Sequence, residues 1–211
     1  MSDTVKRFES FMTSNCYVVR PNIADQLCYI VDLPPDIEEV FKYVEINNLS
    51  IAGVLLTHGH YDHTLGLNKY DDNNVFINLE DEFLARNPKE QFKNLLVGED
   101  IGVDTFEGTL NSVDDITSND IIITSNPGHT KGSSSFVFID LGSVFTGDFV
   151  FVEGIGRTDL YSGDANEMKE SINNIFMNFE TDLTVFPGHG RSDTVKQILK
   201  YNRYLWDFIN D

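Results

Sequence analysis

The chain has 211 residues, 41% hydrophobic and 23% charged, the proportions of a soluble globular protein long enough to bury a core without staples. Its 34 acidic residues against 15 basic ones give a formal net charge of -19, which argues against a nucleic-acid partner and against docking on an anionic membrane. The opening MSDTVKRFESFM has no apolar stretch behind its basic residues, and runs such as IAGVLL are far short of a membrane span, so a cytoplasmic protein without a signal peptide is expected.

In chain order, NCYVVR (15–20) and QLCYIVD (26–32) read as early strands of a meander. Each holds one of the two cysteines, Cys16 and Cys28, expected to be reduced and buried. PPDIEEVFKYVEINN (34–48) opens on prolines and acids and then sets Ile37, Val40, Phe41 and Val44 at helical spacing. SIAGVLLT (50–57) is a buried strand, and NVFINLEDEFLA a short strand followed by a helix. The polar segment 86–120 carries no clear pattern and is where substrate shape is expected to be decided. Strands follow at 120–126, 133–140 and 143–148, then a helix at 164–180 and a strand at 183–188. A last helix after Arg191 places Val195, Ile198, Leu199 and Leu205 on one face. No repeat or linker interrupts the chain, so 1–211 is expected to be a single domain. The element pattern predicts an α/β protein with two sheets face to face and helices outside, a four-layer αββα sandwich.

The histidines carry the chemistry. LLTHGHYDHTLGL places His58, His60, Asp62 and His63 within six residues after a strand. Alternate residues of an extended segment share a face, so His58, His60 and Asp62 can converge while His63 faces a neighbouring point. The other two histidines stand in equivalent places: His129 in NPGHTKGS and His189 in FPGHGR, each after a strand and a Pro-Gly turn. Asp148 in FTGDF again ends a strand. Seven imidazole and carboxylate donors are too many for one tetrahedral ion but suit two, with a carboxylate between them.

The motifs THGHYDH, PGHT, FTGD and PGHG, in this order and over nearly the whole chain, resemble the metallo-β-lactamase fold superfamily. The resemblance implies His58, His60 and His129 on a first metal, Asp62, His63 and His189 on a second, and Asp148 bridging. It implies two divalent ions, zinc, with iron or manganese as alternatives. True β-lactamases of this fold typically carry cysteine or histidine where Asp148 stands. An aspartate there resembles the branch that cleaves thioesters, lactones and phosphoesters.

The segment FVFVEGIGRTDLYSGD (149–164) is similar to the short glyoxalase II-type hydrolases. Arg157 then falls where a basic residue meets the carboxylate end of a glutathione thioester; alternatively it pairs with Asp159 or Asp164 to hold the loop. Only about one helix is expected after His189, so the C-terminal helical domain of full-length glyoxalase II is not expected in these residues. The function implied is hydrolysis of a small-molecule thioester such as S-lactoylglutathione by a metal-bridging hydroxide, with Asp62 and Asp148 as the catalytic carboxylates. A persulfide dioxygenase with one iron, and a lactonase, are the alternatives. A monomer and a homodimer both remain open.

Overall fold

The structure, a computed structural model, describes residues 4–93 and 104–211. The first three residues of the opening, and residues 94–103 of the polar segment 86–120, lie outside the described residues. The chain divides into two compact units, Met1–Ile116 and Thr117–Asp211.

The first unit is built on a six-stranded sheet in the order β1 (Val5–Glu9), β2 (Asn15–Val19), β3 (Leu27–Val31), β4 (Ser50–Leu55), β5 (Val75–Ile77), β6 (Asn111–Ser112). The first three strands form an antiparallel meander, and β3 to β6 run parallel. Parallel neighbours need a crossover, and α1 (Glu38–Ile46) supplies it between β3 and β4. This helix starts at Glu38, later than the proline signal at 34 implies. Glu38 and Glu39 then occupy its first turn, where acids suit the positive end of the dipole. Val40 and Val44 bury its inner face in the apolar cluster that also holds Ile30 and Val54, each worth roughly 1.5–3 kcal/mol. Strand β1 has no counterpart in the sequence reading. It is a polar edge strand whose Lys6 and Arg7 are exposed, so it lacks the apolar run that marks its neighbours. Further along come α2 (Tyr61–Thr64), α3 (Glu82–Arg86) and α4 (Pro88–Lys93). The described part of 86–120 is thus partly ordered, with α4 and β6 in it.

Strand register keeps the two cysteines apart. Tyr17 pairs with Val31 and Val19 with Tyr29, so Cys16 and Cys28 sit four positions apart along the ladder, roughly 13 Å. A disulfide needs Cα atoms within about 7 Å, and both residues are free thiols. Burial pushes Cys28 up to about 11, slightly offset by Arg20, and pushes Cys16 well up too, aided by Asp32 and Asp36. At pH 8 almost no thiolate exists at either position. An aromatic disulfide reagent should therefore find no reactive thiol in the folded protein and two in guanidinium. Rapid labelling of either thiol in the native state would contradict this burial.

The second unit has a five-stranded sheet in the order β13-β12-β9-β8-β7. Its strands are β7 (Ile121–Ser125), β8 (Ser134–Phe138), β9 (Ser143–Gly147), β12 (Thr184–Pro187) and β13 (Asp193–Thr194), and β10 (Val150–Phe151) with β11 (Gly154–Ile155) forms a separate hairpin. Three helices, α5 (Ala165–Asn174), α6 (Val195–Tyr201) and α7 (Arg203–Asn210), pack Met168, Ile172, Val195, Ile198 and Leu205 against Val137, Val144 and Val185. The helix expected over 164–180 ends at Asn174 and is followed by a 3-10 turn, Phe176–Asn178. Its start is sharp because Asp164 caps it, accepting from the backbone N–H of Asn166 and Glu167. The single helix expected after Arg191 is two, broken at Asn202. Among the described residues no helix is long and apolar enough to cross a membrane.

Candidate metal centre

In the first unit, parallel pairing of β3 and β4 sets Val31 opposite Leu55, so the residues leaving both strands lie side by side. Asp32 leaves β3 in the left-handed region (φ 61°), which aspartate tolerates better than most side chains. Its carboxylate, 2% exposed, accepts from Thr57 N–H (2.8 Å), Thr57 Oγ1 (2.9 Å) and His63 Nδ1 (2.9 Å). Thr57 has one hydroxyl proton and gives it to Asp32, so at 3.0 Å it accepts from His58 Nδ1. Both imidazoles are thereby fixed as the Nδ1–H tautomer, leaving the Nε2 lone pairs for a metal.

The ligand loop itself is held from below. Gly59 N–H donates to buried Asp81 Oδ2 (2.8 Å). The Gln91 amide brackets the His60 segment, accepting from Tyr61 N–H (3.0 Å) and donating to Gly59 C=O (3.0 Å). Donor atoms of His58 and His60, of His58 and His63, and of Asp62 and His63 come within 4.8 Å of each other. The expectation that Asp62 continues an extended segment is corrected. It lies in the helical turn α2, which His60 precedes with extended backbone (φ -68°, ψ 146°). The turn still directs Asp62 Oδ2 to 3.5 Å from His63 Nε2.

In the second unit, sheet pairing brings three strand ends to one edge. Ser125 pairs with Ser134, Phe136 with Phe145, and Pro187 with Gly147. His129 in the β7–β8 loop, Asp148 after β9 and His189 after β12 therefore meet there. Asp148 Oδ2 lies 3.5 Å from His129 Nε2 and 3.5 Å from His189 Nε2, a carboxylate with an imidazole on either side. His129 donates its Nδ1–H to the Arg157 carbonyl (2.7 Å), so its Nε2 also keeps a lone pair.

Arg157 turns its guanidinium onto Asp159, with Nε–Oδ1 and Nη2–Oδ2 both 2.7 Å, while Asp164 is engaged as the α5 cap. The arginine holds the Asp159 carboxyl down to about 2. Gly156 is a matter of space. A Cβ there would stand 1.8 Å from the Asp148 carbonyl oxygen and 3.0 Å from His129 Cγ. Gly156→Ala should cost about 3 kcal/mol in thermal unfolding and weaken metal binding, read by chelator competition, because backbone must move. Gly154→Ala, whose Cβ would meet only Phe151 at 3.8 Å, should be tolerated and serves as its control.

The seven donors predicted from sequence fall in two convergent sets, four in the first unit and three in the second. The orienting residues Asp32, Thr57, Asp81 and Gln91 were missed. Asp32 had a visible signal, since it follows an apolar strand as Asp148 does. Neutral imidazole with carboxylate is a donor set that fits zinc and similar divalent ions.

Residues 10–189 match the Metallo-beta-lactamase superfamily, and the chain belongs to it. Members are generally metal-dependent hydrolases. An uncharacterized protein of Mycobacterium leprae is 30% identical over 203 residues, covering 90% of this chain and 93% of its own. Hydroxyacylglutathione hydrolase GloC of Haemophilus influenzae is 29% identical over 188 residues, 83% of this chain and 86% of that protein. Among solved structures, the BLEG-1 B3 metallo-beta-lactamase superposes with a TM-score of 0.81 at 25% identity, covering 95% of this chain and 99% of that one. The architecture is the mixed α/β metallo-beta-lactamase fold.

Proposed function

We propose that the two donor sets act together, holding two divalent metal ions, and that the protein hydrolyses a small acyl thioester such as S-lactoylglutathione. His58, His60 and His129 would hold the first ion, Asp62, His63 and His189 the second, with Asp148 shared. The observation that carries the reading is Asp148 Oδ2 set 3.5 Å from an imidazole assigned to each ion. The similarity to GloC supports the substrate class. Bound there, divalent ions bring the pKa of water to about 7 and polarise a carbonyl oxygen.

The chain's own residues do the rest. Asp32, Thr57 and the Arg157 carbonyl hold the proton of three imidazoles on Nδ1 and aim Nε2 into the site. Asp62, 17% exposed, orients the attacking water with the carboxylate it presents near His63 Nε2. A departing thiolate, whose conjugate acid ionises at about 8.5, leaves without a dedicated proton donor. Arg157 meets the substrate with the edge of its guanidinium outside the Asp159 fork. The reading sets the enzyme in the cytoplasm, where Cys16 and Cys28 remain thiols.

The test is a substrate panel run on zinc, iron and manganese forms with metal analysis. Two equivalents of metal and release of free thiol from S-lactoylglutathione are expected. Lactone opening without thioester cleavage, or sulfite from glutathione persulfide with oxygen consumption, would replace this reading by one of its rivals.

A further inference from the structure

Beside His189 the second unit holds a cavity of about 430 Å³, lined by Phe151, Glu153 and Arg191. The Phe151 ring stands edge-on to the His189 imidazole, 6.0 Å between centroids. A second cavity of about 440 Å³ abuts it at Val152, Glu153 and Arg191 and continues to Tyr201, Arg203 and Tyr204 at the α6–α7 elbow. Sharing these three residues, the two cavities line a trough-like path that starts at a predicted metal ligand and ends at the elbow. Each is within the size range of small-molecule sites.

The charges along the trough differ from end to end. Arg191 is already answered by Asp193 (2.8 Å) and Glu153 (3.3 Å), so the near half has no surplus cation. Arg203 makes no ion pair among the described residues and is exposed between two exposed tyrosines. Lys200 adds a second cation at this end, 4.9 Å from the Tyr201 ring centroid. Arg203 and Lys200 are two of the chain's 15 basic residues, with Asp207 one turn along α7 from Arg203. An exposed guanidinium flanked by phenol groups suits a carboxylate or phosphate, which it can grip through two parallel hydrogen bonds.

We propose that the thiol arm of the substrate runs from His189 along this trough and that Arg203 anchors an anionic group at the arm's far end. The proposal rests on the thioester reading for the arm's chemistry, and names the substrate class as thioesters of long, anionic thiols. Matched thioesters of one acyl group on N-acetylcysteamine, glutathione and coenzyme A test it. The first arm is short and neutral, the second ends in carboxylates, the third carries phosphates. Arg203→Gln should raise the KM of at least one anionic thioester about tenfold relative to the neutral one, leaving the ratio of their kcat values in place. Arg203→Lys should recover part of that loss. Which anionic arm responds tells carboxylate from phosphate.

Calorimetric binding of free glutathione and coenzyme A to the metal-loaded protein gives a readout independent of turnover. A roughly tenfold weakening in Arg203→Gln supports the anchor even if no thioester is cleaved, and in that case only the hydrolase reading falls. Equal KM changes for neutral and anionic arms, or binding of both thiols indifferent to Arg203, would overturn the proposal.

Discussion

Asp148→Ala should reduce turnover about 10³-fold or more and lower the metal content below two equivalents. The argument is local. One carboxylate oxygen stands 3.5 Å from His129 Nε2 and from His189 Nε2, an arrangement set by the pairing of β7, β8, β9 and β12. Deleting it removes the group proposed to be shared by both ions. Metal-supplied charge stabilisation contributes several kcal/mol to such reactions, and each 1.36 kcal/mol is about a factor of ten in rate. The side chain is 12% exposed and outside both apolar clusters, so folding should persist and circular dichroism should be unchanged. Metal analysis beside steady-state kinetics checks the pair of effects. Turnover within tenfold of the parent, with two equivalents still bound, would show that the carboxylate is not shared.

Asp32→Ala should destabilise the protein by about 4 kcal/mol, a large share of the roughly 5–15 kcal/mol that holds a domain folded. Three donors, the Thr57 N–H, its hydroxyl and His63 Nδ1–H, lose their acceptor inside the protein. Each buried orphan costs about 1–3 kcal/mol, and alanine at φ 61° adds about another 1–2. Asp32→Asn separates the causes. Asparagine tolerates the left-handed backbone and keeps one oxygen for Thr57, so the stability loss should be small. Its amide N–H₂, however, would face His63 Nδ1 and favour the opposite tautomer, placing the proton on Nε2 where a metal should sit. Metal affinity of the asparagine variant should then fall about 10–100-fold, read by competition with a chelator. Unchanged affinity would mean that Asp32 does not set the tautomer.

How much of this was legible in the sequence depends on whether a feature is local. Strands such as NCYVV and SSFVF announce themselves because they are buried along their whole length, so the chain has to be apolar there. The ligand residues announce themselves because imidazoles and carboxylates cluster at the ends of such runs. Strand β1 does not, since an edge strand with no fully buried residue needs no apolar run. The break at Asn202 was hidden because Val195, Ile198 and Leu205 keep helical spacing across it. Asp32, Thr57 and Gln91 act through bonds to residues 25 to 32 positions away or through a neighbour so anchored, which no local pattern records. Arg157 shows the same limit. Its pairing with Asp159 was one of two options that spacing alone left equal.

The residue that breaks the last helix has a consequence for motion. The buried Asn202 side chain donates to the carbonyls of Phe151 and Gly154 and accepts from Leu205 N–H. One amide therefore ties the β10–β11 hairpin, which begins two residues past Asp148, to the start of α7. Neither can open without leaving buried polar groups orphaned in the other. The hairpin and the C-terminal elbow thus belong to one cooperative opening unit, in which slow breathing of the chain's last helix reaches the rim of the metal site.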